Sequence, residues 1–208
     1  MDISLYITAF VALFVVIDPI GLAPLFVALT QGASAKARRA IGLRACLVAL
    51  VLLTLFGLAG EAVLNFLGIS MPAFRMAGGI LLFLTALDML FERRTKRRED
   101  QAASNEESET DDPSVFPLAT PLIAGPGSIA TMILLTGETD ADWVHIAAIH
   151  GVMAAVIICV LGMFLLAGVI ERLLGQVGIN VITRLLGMLL AALSVQFVLN
   201  GMIDLGVL

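Results

Sequence analysis

Val16-Ile17-Asp18-Pro19-Ile20-Gly21-Leu22-Ala23-Pro24-Leu25-Phe26 sits inside an apolar run that extends from about residue 4 to residue 30, long enough to cross a bilayer. A spanning helix normally avoids these central residues. Proline removes a backbone donor and clashes with the preceding turn, and glycine loosens the helix. Hydrocarbon offers no water to the freed amides and carbonyls, so protein or a polar cavity must satisfy them. A second run, from about residue 116 to 136, is interrupted in the same way by Ala124-Gly125-Pro126-Gly127. Paired interruptions at matching depth are the pattern of discontinuous helices that build a site at the membrane midplane.

Composition makes lipid the solvent. Of 208 residues 60% are hydrophobic and 14% charged, with a mean hydropathy of +1.03, a balance that would give a globular domain an insoluble surface. The net charge of −5 is gathered into a few polar stretches and says little about partners; nucleic acid is not expected to be one. Asp2 stands where a signal peptide would be basic, so residues 5 to 30 are expected to stay in the mature chain. Cys46 and Cys159 lie within apolar runs and read as packing residues.

Working outward from the two interruptions, hydropathy predicts six helical spans, at about 4–30, 41–60, 73–91, 116–136, 144–170 and 180–204. The polar stretch from Glu92 to Ser114 has no apolar period and reads as a linker; its first half carries Arg93, Arg94, Lys96, Arg97 and Arg98. Lys36, Arg38, Arg39, Arg44, that cluster, Arg172 and Arg184 all fall on odd-numbered connections. Glu61, Glu138, Asp140 and Asp142 fall on even ones, with Arg75 the exception. The positive-inside rule then directs both termini outward, to the periplasmic side of a bacterial inner membrane.

The chain also repeats. Glu61, Leu64, Gly68 and Ile69 align with Glu171, Leu174, Gly178 and Ile179; Arg75 and Gly78 align with Arg184 and Gly187; and Gly21 with Leu29-Thr30 aligns with Gly127 and Leu135-Thr136. Three spans per copy is an odd number, so the second copy must enter the membrane from the opposite side. The expected fold is therefore an all-α membrane protein made of two inverted three-helix repeats, residues 1–91 and 116–208, joined by a linker at 92–115. Helices 1 and 4 are expected to break near the midplane, and inversion accounts for Arg75.

At each break the first half-helix ends in free carbonyls suited to a cation or ammonium group, and the second begins with free amides suited to a carboxylate. The candidate substrate-binding residues are Asp18, Pro19, Gly21, Pro24, Thr120, Gly125, Pro126, Gly127, Ser128 and Thr131. Asp18 has two readings. A carboxylate at this depth suits a sodium or proton coupling site, and an aspartate before a proline also suits a helix cap that accepts the amides of residues 20 and 21. For Ser128 and Thr131 the competing use is a bond to their own backbone four residues back. Thr85, Asp88, Ser194, Gln196 and Asn200 are further polar residues at depth, expected to join helices. His145 and His150 show no metal spacing, so no metal or cofactor is expected beyond a coupling ion. No constellation for intramembrane catalysis presents itself, which argues against an enzyme. The pattern leaves room for a homo-oligomer, for a channel or exporter of another small solute, and for a scaffold that acts through its linker.

The Val16–Phe26 segment, the segment Phe116-Pro117-Leu118-Ala119-Thr120-Pro121-Leu122-Ile123-Ala124-Gly125-Pro126-Gly127-Ser128-Ile129, and Arg75-Met76-Ala77-Gly78-Gly79 together resemble the MarC family of bacterial inner-membrane proteins. The resemblance covers the chain except the polar linker. It implies six spans without a soluble domain, and transport of small neutral amino acids such as glycine or alanine coupled to an ion gradient.

Overall fold

The computed structural model of the chain describes residues 3–93, 112–137 and 143–207. Seven helical elements follow in order: α1 (Ile3–Ile17), α2 (Pro19–Leu29), α3 (Ala35–Phe66), α4 (Met71–Leu90), α5 (Ser114–Ile123), α6 (Pro126–Thr136) and α7 (Trp143–Asp204). Among the described residues five apolar helices are long enough to cross a membrane: Ile3–Leu29, Ala35–Phe66, Met71–Leu90, Trp143–Ile170 and Arg172–Asp204. The bent pair α5–α6 makes a sixth if it counts as one span. The chain is an all-α membrane protein.

Several sequence expectations change in detail. The fourth span is broken where the sequence predicts it, its two elements meeting at 57°, and it begins at Ser114. Residues 94–111, most of the expected linker, lie outside the described residues, as do Glu138, Asp140 and Asp142. Ser114 and Val115 are not linker but the start of α5, and Ser114 is buried there. Gly178 is not the turn counterpart of Gly68: the positive-φ glycine that kinks α7, near the start of the sixth span, is Gly175, with φ 58°, against φ 70° at Gly68. The sixth span accordingly begins earlier than expected, and α7 has two arms, Trp143–Ile170 and Arg172–Asp204.

The core is organised by small residues. Along α3 the buried stripe Gly42, Cys46, Ala49, Leu53, Gly57, Gly60 and Leu64 recurs every three or four residues, which lets α6 and α7 approach the α3 backbone. Phe26 of α2 and Phe164 of α7 stack beside Gly42 with centroids 4.2 Å apart. On the second arm of α7, Gly187, Ser194 and Gly201 are buried at heptad spacing and face α4, an antiparallel seam of the kind small residues allow in lipid.

This seam is reciprocal. A Cβ built on Gly79 would lie 2.8 Å from the Ser194 carbonyl oxygen and 3.1 Å from the Val198 nitrogen; one built on Gly187 would lie 3.3 Å from the Ala86 carbonyl oxygen and 3.4 Å from the Leu90 nitrogen. Ser194 and Val198 stand 7 and 11 residues after Gly187, just as Ala86 and Leu90 stand 7 and 11 after Gly79. Exchanging the two helices maps one contact onto the other, and the counterpart of Gly187 is therefore Gly79, not Gly78. Both ends are pinned by ion pairs in the same crossed sense. Arg75, near the start of α4, pairs with Asp204 at the end of α7, and Arg184 of α7 pairs at 2.6 Å with Glu92 just beyond α4.

Gly79→Ala and Gly187→Ala should each destabilise the protein by ~1–3 kcal/mol, because the new methyl meets backbone atoms as well as Val198 Cγ2 or Met89 Cβ, none of which is the far end of a flexible side chain. Gly162→Ala, which meets nothing within 4 Å, should not. Melting temperatures in detergent check this, and a wild-type value for Gly79→Ala would contradict the close approach.

Candidate functional site

The first break is one residue wide. Asp18 adopts a left-handed conformation (φ 59°, ψ 65°), which aspartate tolerates better than most residues because its short side chain bonds locally. Its Oδ1 accepts the Gly21 amide at 3.0 Å, and Pro19 follows at the first helical position, where its missing donor costs nothing. The backbone ladder resumes on both sides: the Asp18 amide donates to the Phe14 carbonyl at 2.9 Å, and the Leu22 amide donates to the Asp18 carbonyl at 3.0 Å. Gly21 has to be glycine, since a Cβ there would strike the Asp18 carboxyl group. Asp18 is 1% exposed.

The second break is built differently. Pro117 and Pro121 stand four apart, and the residue before each, Phe116 (φ −128°, ψ 127°) and Thr120 (φ −128°, ψ 124°), is extended, as the proline ring favours. Both X-Pro bonds are cis. Backbone bonds in α5 reach five residues back, with Leu118 donating to Pro113 at 3.2 Å and Ala124 to Ala119 at 2.8 Å. Gly125 then caps α6 but has no side chain with which to do so. Ser128 takes over: its hydroxyl accepts the Gly125 amide at 2.9 Å and donates to the Ile123 carbonyl at 2.7 Å.

The two breaks divide one device between them. A capping box pairs an N-cap side chain with the third helical amide, and the third side chain with the N-cap amide. Asp18 performs the first half at Gly21, and Ser128 performs the second at Gly125. Both second half-helices, α2 and α6, start with proline and are 11 residues long, ~16 Å, about half a hydrocarbon core.

The breaks also meet. A Cβ on Gly127 would lie 3.1 Å from Val16, two residues before Asp18, and 3.9 Å from the Thr85 hydroxyl oxygen. Of the ten predicted site residues, Asp18, Pro19, Gly125, Ser128 and Thr131 are buried, Gly21, Pro24 and Gly127 are half-buried, and Thr120 and Pro126 are exposed. Thr131 donates to the Gly127 carbonyl at 2.8 Å, the self-bonding use, so its hydroxyl serves its own helix.

Gly21 and Pro24 open onto something sequence reasoning missed. With Ala28 they form one wall of a cavity of about 200 Å³, and the opposite wall is the second arm of α7, through Gln176, Asn180 and Thr183. No residue lining this cavity is ionisable. At its edge Asn180 donates to Glu92 at 3.3 Å, and Gln176 donates to the Asn180 side-chain oxygen at 3.2 Å. The signal was faint: Gln176, Asn180 and Thr183 recur at helical spacing ahead of an apolar span, a pattern equally typical of an ordinary interfacial turn.

Comparison with known proteins agrees over the whole chain. The profile described as MarC family integral membrane protein matches residues 3–205. A UPF0056 membrane protein of Methanocaldococcus jannaschii is 37% identical over 204 residues, 97% of each chain. The UPF0056 membrane protein YhcE of Escherichia coli is 36% identical over 203 residues, 96% of this chain and 93% of the relative. The UPF0056 inner membrane protein YhgN of the same organism is 33% identical over 198 residues, 94% of each. No solved structure matches.

Asp18→Asn should leave the melting temperature near that of the wild type, since asparagine also caps and also accepts the left-handed conformation. Asp18→Ala should cost ~1–3 kcal/mol through the lost cap and the strained backbone. Equal melting temperatures for the alanine and asparagine variants would remove the cap.

Proposed function

The chain belongs to the MarC family of integral membrane proteins, and on that footing we propose that it carries small neutral amino acids, of glycine or alanine size, across the inner membrane by ion-coupled alternating access. In this reading residues 1–91 and 114–208 are inverted repeats, both termini face the periplasm, and the solute crosses where the two breaks meet. The reading is of a carrier and not of an enzyme.

The observation that carries it is the inequality of two corresponding faces. The seam relates Gly79 to Gly187, a spacing of 108 residues, and the same spacing relates Met71 to Ile179. Ile179 lines the cavity between α2 and the second arm of α7. Met71, at the matching place on α4, packs instead against Gly137 at the end of α6, and every residue of α6 from Ala130 to Thr136 is buried. One face borders a cavity and its counterpart is packed against the end of α6. Two like halves in unlike states are what an alternating-access carrier has at either end of its cycle, and exchanging the states moves the opening to the other membrane surface.

Further support comes from the ends of the second half-helices. Thr30 and Thr136 both donate to the carbonyl four residues back, at 2.6 and 2.9 Å, the same local device in each half. The volume of about 200 Å³ lies below the range of drug-sized ligand pockets and favours a small solute. Asp18, buried at the break, is the coupling group in this reading, in addition to its role as a cap.

Purified protein in liposomes, given radiolabelled glycine or alanine under imposed sodium and proton gradients, should show saturable uptake that supports counterflow. A linear, non-competable flux would mean a pore. Asp18→Asn should retain counterflow but lose accumulation driven by the ion gradient; accumulation at the wild-type level would reduce Asp18 to a cap alone.

A further inference from the structure

The buried hydroxyl of Thr183 differs from those of five other threonines of this bundle. Thr8, Thr30, Thr85, Thr131 and Thr136 each donate to the carbonyl four residues back, at 2.6–3.0 Å. That is the inexpensive way to satisfy a hydroxyl inside a membrane helix. Thr183 is 7% exposed, and its Oγ1 has no hydrogen-bond partner. It lines the cavity between the second arm of α7 and α2. Burying an unpaired hydroxyl is destabilising, so Thr183 gains the fold nothing structural by keeping one.

The facing wall has its own orphan. Pro24 has no N–H, so the carbonyl of Ile20 lacks the donor that the fourth residue onward normally supplies. Gly21 and Pro24, the residues flanking that missing bond, both line the cavity. The α2 wall therefore carries a carbonyl without its usual helical donor. The α7 wall presents a free hydroxyl together with the side-chain amides of Gln176 and Asn180. Negative character on one side and hydrogen-bond donors on the other complement a solute that is neutral overall and internally dipolar.

We infer that this cavity is a binding site for a zwitterionic amino acid whose carboxylate accepts from Thr183 and whose ammonium group donates toward the Ile20 carbonyl. The site lies to one side of the junction of the two breaks and draws on only one of them. The inference rests on the transport reading for its solute class and adds the residues and the orientation. Because the walls carry no ionisable side chain, cationic and anionic amino acids are excluded by the cost of an unpaired charge. The Arg184–Glu92 pair at the rim satisfies itself and leaves no net charge there to attract them.

The test uses the full-length protein and alanine as the probe, read in two ways: thermal stabilisation in detergent over a range of alanine concentrations, and uptake in liposomes. Thr183→Val keeps the shape and removes the hydroxyl. It should weaken the apparent affinity for alanine about tenfold in both assays, with a maximal uptake rate close to that of the wild type. Thr183→Ser should restore the affinity. Ethylamine and propionate, each lacking one of the two groups, should compete poorly against wild type. If alanine binds and is carried but Thr183→Val behaves as wild type, the inference falls and the transport reading stands. If alanine stabilises the wild type in a Thr183-dependent way yet no flux is seen, the site stands and the transport reading falls. Absence of any stabilisation by glycine, alanine or serine would overturn the site.

Discussion

Everything in this bundle depends on how two interruptions of the backbone are closed in a medium that cannot hydrogen-bond. Each break frees amides and carbonyls, and lipid leaves them to the protein. The first is closed by a carboxylate held in a left-handed turn, with a glycine at position 21 so that the carboxylate fits. The second is closed by a serine reaching back to an amide that has no side chain of its own to cap it. Pro24 is a different case. It sits past the cap, where its ring removes a backbone donor, and the space beside it is the cavity lined by Gln176, Asn180 and Thr183. Closed breaks hold the fold, and the turn that Pro24 interrupts borders that cavity.

The seam between α4 and the second arm of α7 does a second job. Glycines at 79 and 187 bring the two backbones within van der Waals reach, so the packing is backbone against backbone and adjusts little. Crossed ion pairs at either end hold the register. The half-helices around this pair differ: α6 is buried from Ala130 to Thr136, whereas α2 borders a cavity.

Much of this could be read before any coordinates. Asp18-Pro19 and Gly125-Pro126 mark the helix restarts because proline at the first helical position is a local rule, independent of what packs nearby. Span positions followed from hydropathy, and the self-bonding of Thr131 from the general habit of threonine in membrane helices. The misses were of one kind. Aligning Gly68 with Gly178, and Gly78 with Gly187, chose letters over backbone: the positive-φ kink belongs to Gly175, and the seam pairs Gly79 with Gly187. A glycine needed for a turn and one needed for close approach look the same in a sequence. The run 116–136 read as one broken helix because hydropathy does not register that prolines four apart make each preceding residue extended.

The sequence by itself determined that this chain lives in lipid, where its helices run, and where two of them must be interrupted, because those outcomes follow from solvent transfer and from the covalent geometry of proline and glycine. Only the tertiary structure decided which interruption faces a cavity, that residues 176 to 183 form the opposite wall, and that Thr183 keeps a buried hydroxyl without a hydrogen-bond partner. Those facts depend on which helix faces lie together across more than 150 residues of chain, from Gly21 to Thr183, and no local rule of propensity or spacing carries that information.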